Sequence, residues 1–266
     1  MFANVYTKTL RDLRRGLIGW SLGIVALMGT MVALWPTVRD MDIAGIVEAY
    51  PEAMQEMFNI DQISTGAGFL NTEVFSWLLP VMFITYGVGI GSRLLAREEE
   101  AGTMDVLLST PLSRDRLMLE KAAAAVTGLV ILTVVLFVST WGLAILASDM
   151  GVTVGYAAGA ALAMLLLGLV FAALAYGVTA VTGKRALAVA ASVSLAVAGY
   201  VFYAASTFVD AIASWDWLTP FQHAIGVGPA ATGDAGLPLG FLWLAIAGVV
   251  LIALARPVFR RRDIGV

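Results

Sequence analysis

The chain has 266 residues, 60% hydrophobic and only 13% charged, whereas a soluble domain of this size carries about 25% charged residues. The apolar residues form long uninterrupted blocks, which predicts a polytopic membrane protein. There is no cysteine, so disulfides, thiol catalysis and thiolate metal sites are excluded. The net charge of −3 is less informative than where the charges lie along the chain.

Before the first apolar block, residues 1–15 have the pattern of an amphipathic helix. Apolar residues recur there at i, i+3 and i+4 spacing, while Lys8, Arg11 and Arg15 take other faces. This pattern predicts a helix that lies in the membrane interface, with its basic side towards anionic headgroups. A simple N-terminal extension of the first span is the alternative.

Six apolar blocks are each long enough to cross about 30 Å of hydrocarbon as a helix, which takes roughly 20 residues. In chain order they are residues 17–35, 74–91, 122–147, 154–181, 186–209 and 237–255. The first block has no small-residue cleavage site, so we expect a retained span and not a signal peptide. The blocks predict an all-α fold, a single transmembrane domain of six helices.

The first outer connection, between the first two spans, carries an apolar stripe beside an acidic ladder at i, i+4 spacing, formed by Glu48, Glu52 and Glu56. Pro51 is expected to divide this stretch into two short helices. These helices could cap the outer mouth of a cavity or rest on the outer leaflet, and the sequence leaves both open.

Small residues and one proline stand out within the spans. Gly87 and Gly91 in the second span, and Gly155 and Gly159 in the fourth, have the GxxxG spacing that lets helices approach closely. Pro80 predicts a kink in the second span, which could serve gating or only packing.

The basic residues are distributed very unevenly among the connections. Fifteen of the 16 lie in the N-terminal segment, the second-to-third connection, the fourth-to-fifth connection and the C-terminus, and only Arg39 lies elsewhere. Because cytoplasmic connections are enriched in Lys and Arg, this distribution predicts six spans with both termini in the cytoplasm. The opposite side is acidic, and its carboxylates lack the spacing of a calcium-binding loop, so we expect a solvated acidic surface.

The six blocks contain no Asp, Glu, Lys, Arg or His, which disfavours a secondary transporter that must bind its coupling ion at depth. The only histidine, His223, cannot form a metal site alone. Gly183 and Lys184 are not a P-loop, because no Ser or Thr follows them. We therefore expect no catalytic residue, metal or cofactor site in this chain.

The densest charge lies in REEEAGTMDVLLSTPLSRDRLMLEK, residues 97–121. Pro111 is expected to end a short helix, and Ser113 to N-cap the next one, which runs directly into the third span. A short helix between two span extensions can transmit a push to both, so a partner could dock here. An ordinary charged loop is the alternative.

This stretch resembles the cytoplasmic signature of type-2 ABC transporter (ABC-2) permeases, E-E-x-x-G-T-x-x-x-L-L-x-x-P-x-S-R…K, with the acidic pair placed next to Ala101. The outer loop with the second span, and the C-terminal PVFRRRDI, are similar to the same family. The matching residues of the signature are Glu99, Glu100, Gly102, Thr103, Leu107, Leu108, Pro111, Ser113, Arg114 and Lys121.

The resemblance implies that the chain is the membrane subunit of an ABC transporter, in a family whose members mostly export their cargo. The complex would contain a second permease subunit and two copies of a separate ATPase that binds ATP and Mg²⁺. The region from Glu98 to Leu108 would sit in a groove of that ATPase, where Glu98, Glu99 and Glu100 could pair with basic residues or order the local helix through its dipole. The cargo path would lie near the first, second and fifth spans. We expect a prokaryotic plasma membrane and no nucleic-acid partner. A scaffold that moves nothing is the alternative.

Overall fold

The computed structural model describes residues 4–41, 65–97, 113–147, 150–226 and 239–262. Within these residues the chain forms helices and turns without any strand, which confirms the all-α prediction. In chain order the α-helices are α1 (Val5–Arg39), α2 (Gly66–Leu70), α3 (Leu78–Gly91), α4 (Arg114–Leu146), α5 (Val154–Thr182), α6 (Arg185–Ser206), α7 (Asp210–Ala213) and α8 (Leu239–Arg261).

The number of membrane-spanning helices agrees with the sequence. Five helices, α1, α4, α5, α6 and α8, are each long and apolar enough to cross a membrane. A sixth span forms if α2, the π-helical turn Asn71–Phe75 and α3 are taken together as one helix with a bend of 43°. The protein is therefore a polytopic membrane protein.

The bend in the second span lies where Pro80 predicts a kink. The helix is interrupted at Ser76 and Trp77, immediately before α3. In a continuous helix the ring of Pro80 would crowd the carbonyl of Ser76, four residues earlier. Placed instead in the first turn of α3, the proline needs no N–H partner.

The second span also begins earlier than predicted. Its helical residues extend back from 74 to Gly66, and Thr65 caps them by accepting the Gly68 N–H at 3.0 Å. Glu73 consequently lies within the bent half of this span, so the prediction of spans free of ionisable residues is wrong there. The apolar pattern begins at residue 74, but the polar residues before it continue the helix.

The prediction of a separate interfacial helix in residues 1–15 is also wrong, because α1 runs without a break from Val5 to Arg39. The segment is instead the N-terminal extension of the first span. Its 35 residues would measure about 52 Å, well beyond the hydrocarbon thickness. Contacts with α4 hold the N-terminal part alongside the bundle. The Tyr6 N–H donates to Glu120 Oε2 at 3.2 Å, and the Tyr6 hydroxyl lies 3.0 Å from Thr127 Oγ1.

The third span confirms the predicted helix start. Ser113 Oγ accepts the Arg116 N–H at 3.2 Å and caps α4, which continues directly into the apolar block. The fifth span ends three residues early, at Ser206, and the sixth continues beyond residue 255 to Arg261 with Pro257 inside it.

The centre of the bundle is α5, which packs against α3, α4, α6 and α8. Two thirds of its most apolar stretch is buried. A Cβ atom at Gly87 would lie 2.5 Å from the Gly168 carbonyl oxygen, and one at Gly91 would collide with the carbonyl oxygen of Ala172. The predicted close approach at Gly87 and Gly91 is therefore confirmed, and it brings α3 against α5.

Candidate functional site

One end of the bundle, which we call the basic end, gathers the N-termini of α1 and α4 and the C-termini of α5 and α8. Tyr6 contacts α4 there. Arg262 Nη1 donates to the carbonyls of Thr179 and Ala180 in the last turn of α5, at 3.3 and 3.0 Å. The distribution of basic residues predicted that these helix ends lie on the same side of the membrane, and in the structure they meet at one end of the bundle.

Most residues predicted to couple to an ATPase lie outside the described residues. These are Glu98, Glu99, Glu100, Gly102, Thr103, Leu107, Leu108 and Pro111. Ser113 and Arg114 are described, at the start of α4. The structure therefore shows what the C-terminal flank of the predicted coupling segment contacts.

Next to Ser113, four charged residues join α4 to α8; we call them the α4–α8 clamp (Arg114, Asp115, Arg256 and Arg260). Asp115 Oδ2 accepts a hydrogen bond from Arg256 Nη2 at 2.8 Å, and Arg260 donates to the same carboxylate through both Nε and Nη2. Arg114 Nη1 donates to the carbonyls of Arg260, at 3.2 Å, and Arg262, at 2.7 Å. Both helix dipoles favour this arrangement, with an acid at the start of α4 and a cation at the end of α8.

Sequence reasoning identified Arg114 through the family signature but missed Asp115. Two signals were available in the sequence. An acidic residue in the first turn of a capped helix is favourable, and Arg256 with Arg260 presents two guanidinium groups on one helix face. Neither signal identifies the partner, which lies more than 140 residues away.

The signature lysine, Lys121, also connects two parts of the basic end. Its side chain is 1% exposed, and its amine donates to the carbonyl of Leu94, three residues beyond α3. Tyr176 of α5 donates to the Met118 carbonyl at 2.8 Å. The two flanks of the predicted coupling segment are thus tied to each other and to α5.

An apolar pocket of about 510 Å³ lies between α3 and α6, the second and fifth spans. Pro80, Ile84 and Val88 line it from one side. Valines of α6 line the other side, and three of them are about half exposed: Val193, Val197 and Val201. Among the described residues that line it, Arg93 and Arg185 are charged, and both are exposed at its rim. The pocket therefore lies between two of the spans predicted to border the cargo path.

His223 has a structural role in the described part of the chain. Its Nε2 lies 2.8 Å from the Trp217 carbonyl, and its ring stacks on Trp243 with centroids 4.6 Å apart. The described ranges hold no group of three His, Cys, Asp or Glu residues that could bind a metal. His223 therefore joins the π-helical turn Gln222–Gly226 to the preceding turn Asp216–Leu218.

Comparison with known proteins identifies the family. No curated protein matches the sequence. The family model described as "ABC-2 family transporter protein" matches residues 3–264, nearly the whole chain. Together with the apolar helices of the bundle, this match shows that the chain belongs to the ABC-2 transporter family as a membrane-spanning permease.

Proposed function

We propose that this permease is the membrane subunit of an ATP-driven exporter. A separate ATPase, which would bind ATP and Mg²⁺, docks on residues 97–121, and its nucleotide-driven closure switches the spans between inward- and outward-facing states. The complex would contain two permease subunits and two ATPases in a prokaryotic plasma membrane, with the basic end in the cytoplasm.

The observation that carries this proposal is the attachment of both flanks of the coupling segment to other spans. Asp115 is held by Arg256 and Arg260 of α8, and Arg262, the residue after this helix, bonds to the end of α5. A displacement of the α4 N-terminus would therefore move α8 and α5 with it, because several charge-assisted hydrogen bonds would otherwise break.

The N-terminal flank is attached in the same way. Lys121 of α4 is bonded to Leu94, so the end of the second span follows the start of the third. The second span forms one wall of the apolar pocket. A push on the coupling segment would therefore reach the wall of the pocket along α3.

The pocket supports a hydrophobic or amphipathic cargo. Its walls are aliphatic and aromatic, and its charged side chains, Arg93 and Arg185, lie at the rim. An apolar cavity of several hundred Å³ suits organic cargo, whereas a bare ion needs fixed polar ligands at depth. The exposed face of α6 would be covered by the second permease subunit, with the cargo path between the two bundles.

The coupling role is tested by the double substitution Glu99→Ala and Glu100→Ala, in the chain coexpressed with a candidate ABC ATPase. Loss of two carboxylates that pair with basic ATPase residues should weaken copurification by about tenfold. ATP hydrolysis of the complex in lipid is the second measurement.

The matched control removes two carboxylates from the opposite, acidic side through Glu52→Ala and Glu56→Ala. We expect this variant to copurify with the ATPase as the native chain does. Unchanged copurification and hydrolysis in the Glu99/Glu100 variant would contradict the proposed docking.

A further inference from the structure

A second pocket, about 270 Å³ in volume, lies at the basic end between α1, α3 with its C-terminal extension, and α4. We call it the basic pocket. We propose that it binds a phosphate group, carried either by the headgroup of an anionic phospholipid or by free phosphate. Its basic side chains are Lys8, Arg93, Arg97 and Lys121, and among the described residues that line it Asp12 is the one carboxylate.

The charge balance of the basic pocket favours an anion. None of the ion pairs between described residues involves Lys8, Arg93 or Arg97. These cations come from two different helical segments and repel one another across the cavity. A phosphate between them would offset this repulsion, and a guanidinium group can donate two parallel hydrogen bonds to it.

The basic pocket is built into the bundle and is more than a patch of surface charge. Lys121 forms its buried wall, with 1% of the side chain exposed and the amine bonded to the Leu94 carbonyl. Lys8 is half-buried, whereas Arg93 and Arg97 are exposed at the open side. A phosphate entering from the open side would meet the cationic groups of Lys8, Arg93 and Arg97, which come from two helical segments.

The shape of the pocket suits a headgroup. Along α1 it extends from Lys8 to Trp20, a distance of about 18 Å. The far end is aromatic, because Trp20 packs edge-on against Tyr86 with centroids 5.9 Å apart. Cationic groups followed by Trp and Tyr are the order expected across a membrane interface. A cavity of about 270 Å³ is of the size that holds a small ligand group.

Occupation of the pocket would affect the coupling region. Arg93 borders both the basic pocket and the apolar pocket, Leu94 precedes residues 97–121, and Lys121 is the last of these residues. A bound phosphate would hold α1, the end of the second span and the start of α4 together. The binding itself does not depend on the proposed transport function, so it is measured on the permease alone.

The experiment is calorimetric titration of the purified full chain in an uncharged detergent and a phosphate-free buffer. The probes are sodium phosphate, dioctanoyl phosphatidylglycerol and, as the phosphate-free match, dioctanoylglycerol. The test variant is Arg93→Gln with Arg97→Gln. The control variant is Arg14→Gln with Arg15→Gln, which removes the same charge from exposed positions of α1 outside the pocket.

We expect the test variant to bind phosphatidylglycerol at least about tenfold more weakly than the native chain, and the control variant to bind it unchanged. If sodium phosphate also binds, and binds more weakly to the test variant but not to the control variant, free phosphate is supported as a ligand. Binding of the lipid but not of sodium phosphate would support the headgroup. Lys8→Gln, which removes one amine, should weaken binding by about threefold and provides a second variant if the double substitution unfolds.

Three outcomes would overturn the proposal. The first is equal binding of dioctanoylglycerol and phosphatidylglycerol, which would indicate a purely apolar site. The second is an equal loss in the test and control variants. The third is no binding of sodium phosphate or of phosphatidylglycerol by the native chain.

Discussion

At the level of single residues, Asp115 holds the basic end together. It is the first acidic residue after the Ser113 cap, and its 19% exposed side chain accepts hydrogen bonds from two guanidinium groups of α8. The arginines are about half exposed, so water screens each pair and the stabilisation per pair is small. The importance of the carboxylate lies in joining the start of α4, which is the C-terminal part of the coupling segment, to the end of α8.

Replacing this carboxylate tests the clamp. In the Asp115→Asn variant the two arginines lose their shared anion, and we expect the free energy of unfolding to fall by about 1 kcal/mol. Thermal unfolding in detergent measures the change, which should shrink at high salt because the charges are partly exposed.

Asp40→Asn is the matched control for this substitution. It removes a carboxylate whose ion pair among the described residues is with its exposed neighbour Arg39, at the other end of α1, so stability should stay within experimental error. Equal losses in the Asp115 and Asp40 variants would argue against a special role of the clamp.

Two other residues show which features neighbouring residues in the sequence can predict and which they cannot. Ser113 was identified as a helix cap because a cap needs only a serine before a helical pattern. Lys121 was placed at the edge of a span as part of a signature, but its burial depends on α1, α3 and α4 converging around it. No local pattern carries that information.

At the level of elements, the contact between α3 and α5 depends on glycine. The backbones approach so closely that a Cβ atom at Gly87 or Gly91 would meet a carbonyl oxygen of α5. Backbone atoms cannot move aside as a flexible side chain can. The GxxxG spacing predicted a close approach, but it could not specify α5 as the neighbour.

The substitution Gly91→Ala should therefore separate the two helices and destabilise the bundle. We expect a loss of about 1–3 kcal/mol from overpacking, which exceeds the small gain in helix propensity. The apparent melting temperature in detergent checks this expectation.

Gly89→Ala provides the control on the same helix. A Cβ atom there has no neighbour within 4 Å, so the stability should be unchanged or slightly increased. If Gly89→Ala and Gly91→Ala destabilised the protein equally, the loss would come from the helix itself and not from its packing on α5.

The length of α1 shows how tertiary contacts override a local pattern. The amphipathic residues 1–15 suit a helix in the interface as well as they suit an extension of the span. The contacts of Tyr6 with Glu120 and Thr127 favour the extension, because they hold the segment beside α4. The bend before Pro80 is the reverse case, since proline chemistry alone predicts it.

At the level of the whole molecule, the helix ends carrying 15 of the 16 basic residues are predicted to face the cytoplasm. The chain has no cysteine, so a single introduced cysteine reports one position. In intact cells, a membrane-impermeant maleimide should label Asp40→Cys and Asp210→Cys but not Arg14→Cys or Arg185→Cys. The residues at all four positions are exposed in the structure, so their reaction with the maleimide should depend on which side of the membrane they occupy.

Permeabilised cells are the control for this labelling, because all four cysteines should then react. Labelling of Arg14→Cys or Arg185→Cys from outside an intact cell would reverse the orientation, and it would place residues 97–121 where no cytoplasmic ATPase can reach them.

The sequence by itself determined the helical class, the number of spans, the grouping of helix ends and the start of α4. Each of these follows from hydropathy, charge or capping within about 20 neighbouring residues. The tertiary structure decided the continuity of α1, the partners of Asp115, the burial of Lys121 and the two pockets. These features depend on contacts between residues far apart in the chain, such as Asp115 and Arg260, and no local pattern specifies which distant groups will meet.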